Sequence, residues 1–206
     1  MRTLVFAVVV AAALPAQDFK PLFNGKDLDG WKQVGPGRFV VEDGLLKTEG
    51  GMGLFWYTRE KFGDCTIRVV FRATEARSNS GVFIRLPEPP PDAWYGVHNG
   101  FEVQIAGSGD EWHSTGSIYS LSRVTRNNSK PPGEWNTMEI ELDGARTVIS
   151  VNGEKVNTFE PANPVPERKQ WYEPVRGPRP LSGYIGLQNH NPRDTVYFRE
   201  VSVRKK

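Results

Sequence analysis

Three short stretches of this chain carry side chains whose types and spacing suit chemistry on a polyhydroxylated ligand. They are Asn79 and Arg85 in NSGVFIR, Glu102 and Gln104 in GFEVQ, and Gln188 and His190 in LQNH. Each pair is separated by an even number of residues, so on a β-strand each pair projects from one face. A carboxyl, an imidazole, a guanidinium and three amides, with Tyr119 of TGSIYS nearby, form a donor and acceptor set suited to sugar hydroxyls. Histidine has an intrinsic pKa near neutrality and serves as a base; a carboxyl does so when its own pKa is raised. Arg85 and Gln188 would then be the donors for an anionic oxygen or a hydroxyl. The plain alternative is a solvated sheet face, because arginine, glutamate and glutamine are mostly exposed.

The elements around these residues read as strands. In NSGVFIRL, Val82, Ile84 and Leu86 share one side, with Asn79, Phe83 and Arg85 on the other. Phe101, Val103 and Ile105 oppose Glu102 and Gln104, and Ile185 and Leu187 oppose Tyr184, Gln188 and His190. Upstream, CTIRVVFRAT alternates, and Asp43-Gly44 between apolar runs is a hairpin signal. Asp143-Gly144 and Asn152-Gly153 join three further runs into a meander, and TGSIYS reads as a short strand. Val196 and Phe198 keep one parity and Val201 and Val203 the other, which places a bulge between Arg199 and Glu200. Residues 157–182, dense in proline around Trp171 and Tyr172, read as a long ordered loop. No stretch carries a sustained helical period, so any helix is one short turn. The class is all-β: two antiparallel sheets packed as a sandwich.

The 206 residues suit one domain. Residues 1–16 have a basic start, an apolar run too short to span a bilayer and small residues after it, the pattern of a secretory signal; the single domain then occupies 17–206, and export to the periplasm or the medium is expected. With 26 basic and 24 acidic side chains the chain is nearly neutral, and losing Arg2 with the leader leaves a net charge of +1. A dispersed, neutral surface excludes a polyanion such as nucleic acid as the partner, and no membrane contact is expected of the mature form. Cys65 has no second cysteine to pair with and reads as inert core. The histidines His98, His113 and His190 are not at zinc-type spacing. Asp110 and Glu111 could contribute to a calcium site, but no calcium loop is present, so neither metal nor cofactor is expected. Trp56, Trp94, Tyr95, Trp112, Trp171 and Tyr172 fall mostly in expected loops, where rings can stack on sugars.

LFNGKDLDGW, NSGVFIR, GFEVQI, TGSIY, GEWN with a following VNGEKV turn, and GYIGLQNH before VYFREV occur in an order that resembles the 3-keto-disaccharide hydrolase domain family across nearly the whole mature chain. The resemblance implies a concanavalin-like jelly roll, an exported protein and activity on glycosides whose sugar carries a ketone at carbon 3. By the same resemblance the site involves Asn79, Arg85, Glu102, Gln104, Gln188 and His190. Two departures stand out. Relatives often follow the EVQI strand with an aspartate two residues later, where this chain has Ala106 and Gly107, and have another between the glutamine and the histidine, where it has Asn189.

A ketone at carbon 3 acidifies the hydrogen at carbon 2. A base removes it, the enolate forms, and the aglycone at carbon 1 leaves by β-elimination; addition of water gives net hydrolysis. The carboxylate pair of an ordinary glycosidase is not needed. His190 or Glu102 is expected as the base, and the alternative to an enzyme is a carbohydrate-binding module on the same fold. A module needs amides and stacking rings but no base.

Overall fold

The computed structural model describes residues 18–206; the expected leader at 1–16 lies outside the described residues. Two antiparallel sheets pack face to face. The larger has eight strands, in the order β11 (Glu154–Phe159), β10 (Arg146–Val151), β9 (Asn136–Asp143), β6 (Cys65–Ala73), β13 (Val196–Lys205), β4 (Leu45–Glu49) and β3 (Arg38–Glu42), with the short β1 (Lys20–Pro21) also paired to β13. The smaller has five: β2 (Trp31–Val34), β5 (Gly53–Tyr57), β12 (Tyr184–Asn189), β7 (Asn79–Leu86) and β8 (Phe101–Ala106). Among the described residues a single helix, α1 (Tyr95–Asn99), lies between β7 and β8 in sequence.

Strict alternation builds the core. Ile67, Val69 and Phe71 of β6, Met138, Ile140 and Leu142 of β9, and Val82, Ile84, Val103, Ile105, Ile185 and Leu187 of the smaller sheet meet in one buried cluster. Cys65 belongs to it, and burial pushes its thiol up to about 11, which keeps it protonated and unreactive. The expected bulge on β13 is present, because register shifts between Phe198 and Glu200. The β3–β4 hairpin turns at Asp43-Gly44, both with positive φ (51° and 77°).

The smaller sheet is buried on its outer face too. There Leu54, Trp56, Phe83 and Leu86 pack with Val97 of α1 as a second apolar cluster. Asp92 Oδ1 accepts hydrogen bonds from the backbone N–H groups of Trp94 (2.8 Å) and Tyr95 (2.9 Å) and so starts the helix. Gly96 lets it sit close: a Cβ there would overlap Leu54 and Phe83. The outer face is therefore a walled surface with α1 on one side.

Three expectations are corrected. Leu86 is on the outer face, not with Val82 and Ile84, because β7 bulges at Arg85: φ is +57° there, and the register passes from Phe83 opposite Gly186 to Leu86 opposite Tyr184. One extra residue reverses parity beyond it. TGSIYS is not a strand; Ile118 makes only isolated bridges, to Val103 and Ser122. And β11 continues to Phe159, so the proline-rich loop begins three residues later than its composition suggests.

That loop, residues 160–182, lacks regular structure but is pinned by arginines. Arg176 donates to the carbonyls of Pro166 (2.8 Å), Pro174 (2.6 Å) and Ser120 (3.3 Å). Arg179 reaches those of His98 (2.9 Å) and Gly100 (3.1 Å). Five donors on a planar fork satisfy carbonyls that proline leaves without ladder partners.

Candidate active site

Between α1, the outer face of the smaller sheet and the proline-rich loop lies a cleft of about 220 Å³. Its floor is polar: Asn79 from β7, Glu102 and Gln104 from β8, and Gln188 from β12, with His190 just past the end of that strand. Its walls are apolar and aromatic, from Met52, Trp94, Val97, Tyr119 and Tyr172. The β7–β8 register puts Asn79 opposite Ala106 and Gly81 opposite Gln104, and β7 is flanked by β12 on its other edge. Strands nearly a hundred residues apart in sequence thus present one polar surface.

Glu102 is buried, at 5% exposure. Burial raises its carboxyl to about 8, against a smaller opposing effect of the neighbouring Gln188 side chain. At neutral pH it is therefore largely a neutral acid, which donates a proton instead of taking one. Gly81 makes the room: a Cβ there would stand 2.5 Å from Glu102 Oε1. Tyr119 is set beside it because its backbone N–H donates to the Glu102 carbonyl (2.9 Å). Burial first, then the nearby Glu102, raises its phenol to about 12, so it too remains a donor.

The amides are fixed and half-used. Gln104 Nε2 donates to Asn79 Oδ1 at 3.0 Å. Gln104 Oε1 and Gln188 Oε1 are buried with no hydrogen-bond partner. A buried, unpartnered acceptor costs about 1–3 kcal/mol; two of them lining one cleft are acceptors matched to hydroxyl donors of a ligand.

His190 is positioned by a residue that the sequence reading missed. Its Nδ1 lies 2.7 Å from Oδ2 of Asp194, whose side chain is 3% exposed. A carboxylate only accepts, so with Nδ1–H as the donor to Asp194 the ring leaves Nε2 as its acceptor, and Asn191 Nδ2 stands 3.0 Å from the same Nδ1. Asn191 Nδ2 also donates to Asp194 Oδ2 and holds the carboxylate in place. The signal was available in HNPRD, where a turn brings an acid four residues downstream back to the histidine. Met52 and Val97 were also missed; nothing but the fold brings them to the cleft.

Arg85 is not in the cleft. Its positive φ and the bulge turn it to the opposite side, where it is 2% exposed and donates to the carbonyls of Gly144 (2.5 Å) and Pro180 (3.2 Å). It clamps the β9–β10 turn and the end of the proline-rich loop to β7, and does not line the cleft. The two departures from the family pattern also resolve structurally. Asn189 faces away from the cleft and donates to the carbonyls of Arg38 (3.3 Å) and Glu49 (2.5 Å). At Gly107 a Cβ would meet the Ala76 carbonyl at 2.9 Å, so the local backbone leaves no room for a side chain. Among the described residues no three His, Cys, Asp or Glu side chains gather as a metal site would require.

The family profile of the 3-keto-alpha-glucoside-1,2-lyase-like domain matches residues 18–204. The chain belongs to this family. A 3-keto-disaccharide hydrolase of Bacteroides thetaiotaomicron is 23% identical over 252 aligned positions, spanning 98% of this chain and 84% of that protein. Among solved structures, a Parabacteroides distasonis protein provisionally named a glycosyl hydrolase superposes with a TM-score of 0.73 at 24% identity, over 92% of this chain and all of that one (100%). A carbohydrate-binding module of Bacillus subtilis superposes with a TM-score of 0.54 at 16% identity, covering 85% of this chain and 96% of the module. At such identities the superpositions establish the jelly-roll fold, which members of the lyase-like family share with sugar-binding proteins.

Proposed function

We propose that this protein is an exported enzyme that cleaves 3-keto-glycosides, 3-keto-disaccharides among them, by elimination across carbons 1 and 2. His190, held by Asp194, takes the acidic hydrogen from carbon 2. The electron pair of that C–H bond moves into the carbon 2–carbon 3 bond and the ketone becomes an enolate. The enolate then collapses: the ketone re-forms, a carbon 1–carbon 2 double bond appears, and the bond from carbon 1 to the aglycone oxygen breaks. Neutral Glu102 gives its proton to that oxygen, so the aglycone leaves as an alcohol. Donors along the floor, with Tyr119 beside them, meet the enolate oxygen, and the acceptors Gln104 Oε1 and Gln188 Oε1 take ring hydroxyls. Subsequent addition of water to the enone gives the free 3-keto sugar. Elimination followed by hydration reconciles the lyase in the family's description with the hydrolase in the relative's name.

The observation that carries this reading is the pairing, in one cleft, of a histidine oriented by a buried aspartate with a carboxyl that burial keeps protonated. Two titratable groups with environments that drive them to opposite roles are what an acid–base reaction needs. A binding module would account for the amides and the rings but gives no purpose to the Asp194–His190 pair. The test is release of aglycone from a 3-keto-glucoside set against the parent glucoside. Release from the first alone supports the proposal, while sugar binding without release from either would make the protein a binding module.

A further inference from the structure

Next to the catalytic cleft is a second and larger one, of about 340 Å³. It is lined by Trp112, His113 and Ser120 from the β8–β9 connection and by Glu167, Lys169 and Arg176 from the proline-rich loop. The two clefts share a wall. Tyr119 and Tyr172 line the first, their chain neighbours Ser120 and Glu173 line the second, and the His113 ring packs edge-on to Tyr119 at 5.3 Å.

We propose that this second cleft is the leaving-group subsite, which takes the second sugar ring of a 3-keto-disaccharide; the proposal rests on the 3-keto-glycoside reading of the first cleft. Its charged lining is three carboxylates, Asp110, Glu167 and Glu173, against two cations, Lys169 and Arg176, most of them paired within the lining. His113 Nδ1 lies 2.6 Å from Asp110 Oδ1, and Arg176 donates to Glu173 Oε2 at 3.0 Å, while Glu167 and Lys169 add one charge of each sign. A cavity whose lining has no surplus of cations, is polar around its rim and includes the Trp112 indole matches a neutral ring with hydroxyls, and not a phosphate or a carboxylated group. The wall itself is built under strain. Ser120 has φ +55° without being glycine, and it is held so by Arg176 on its carbonyl and by His113 Nε2 at 3.2 Å from its hydroxyl. Such a conformation is costly for a residue other than glycine and persists only where its surroundings impose it. Here it sets Tyr119 toward one cleft and the Ser120 side chain toward the other. The loop that supplies Tyr172 to the sugar cleft is the same loop that closes the second, so one pinned segment places both subsites.

The test is calorimetric binding to the His190→Ala protein, in which turnover is blocked, of methyl 3-keto-glucoside and of a 3-keto-disaccharide of two glucose units. Glu167→Ala/Lys169→Ala is made in that background; both positions are exposed, so folding is not at risk. Trp112→Ala is a second variant, with its melting temperature checked. The disaccharide should bind about tenfold more tightly than the methyl glycoside, and both variants should abolish that advantage while binding of the methyl glycoside stays within about twofold. Equal affinities in the parent protein, or equal weakening of both ligands in the variants, would overturn the subsite. Binding of neither ligand would overturn it together with the sugar site. The expected pattern combined with no aglycone release by the wild-type protein would leave the subsite standing and remove the catalytic reading alone.

Discussion

His190 Nδ1 and Asp194 Oδ2 lie 2.7 Å apart, with the carboxylate buried and the imidazole at the edge of the cleft. The aspartate does not reach the cleft; it acts through the ring by fixing which nitrogen carries the proton. Asp194→Asn keeps the shape but lets the ring adopt the other tautomer. A loss in kcat of roughly 10²-fold or more is expected, with KM nearly unchanged and the acidic limb of the pH–rate profile displaced. Steady-state kinetics between pH 5 and 9 would show this. A purely structural aspartate would lower the melting temperature and leave the shape of the profile alone.

Glu102→Gln removes the donated proton and keeps the hydrogen-bonding outline. For 3-keto-glycosides with alkyl leaving groups kcat should fall roughly 10²–10⁴-fold, the usual worth of a positioned acid. Nitrophenyl glycosides, whose aglycones depart as stable anions, should lose far less. Equal losses with both leaving groups would show that Glu102 acts elsewhere in the reaction.

The raised Glu102 pKa, about 8, has two pH signatures. Turnover should decline as pH passes 8, because the acid is then ionised. Stability is linked as well. The folded protein holds this proton and the unfolded chain releases it near the ordinary carboxyl value of 4.5. The stability associated with the neutral form is therefore complete below about pH 4.5, falls as pH rises through the interval and is gone above about 8. Denaturant unfolding at several pH values should show this slope in wild type and a shallower one in Glu102→Gln.

Gln188→Leu replaces an amide whose oxygen is buried without a partner. Stability should change by no more than about 1 kcal/mol, since relief of the desolvation cost of that oxygen offsets the lost Gln188–Glu102 contact, while KM rises about tenfold or more. Chemical denaturation and kinetics on the same preparation would separate the two effects. A substitution that lowered both stability and binding would place the Gln188 oxygen in a structural bond.

Arg85→Leu should lower the melting temperature through the loss of charge-assisted bonds to Gly144 and Pro180, each worth about 1.5–3 kcal/mol. kcat of the folded protein, measured well below that temperature, should stay within about threefold. A loss comparable to that of His190→Ala without destabilisation would return Arg85 to the chemistry.

Strand parity carried most of the site. Glu102, Gln104, Gln188 and His190 were legible because β8 and β12 run without a bulge up to those positions, so alternation holds. Asn79 was legible because it precedes the bulge on β7, and Arg85 was misplaced because it occupies it. No sequence signal marks an arginine that adopts φ > 0, since the surrounding contacts with Gly144 and Pro180 impose the conformation, not the residue's own preference. The sandwich itself followed from the turn dipeptides and alternating runs. Met52, Val97 and the wall at Ser120 came from tertiary packing of α1 and the proline-rich loop, which local pattern does not encode. Asp194 was written in HNPRD but is recognisable only once that segment is known to turn.

The most direct test of elimination is turnover of a 3-keto-glucoside deuterated at carbon 2, with the sugar product analysed by mass spectrometry against an enzyme-free control. Proton abstraction by His190 requires that aglycone release and loss of the carbon-2 deuterium occur together, and that His190→Ala abolish both. Release of aglycone with the deuterium retained, or equal release from the parent glucoside, would contradict the mechanism.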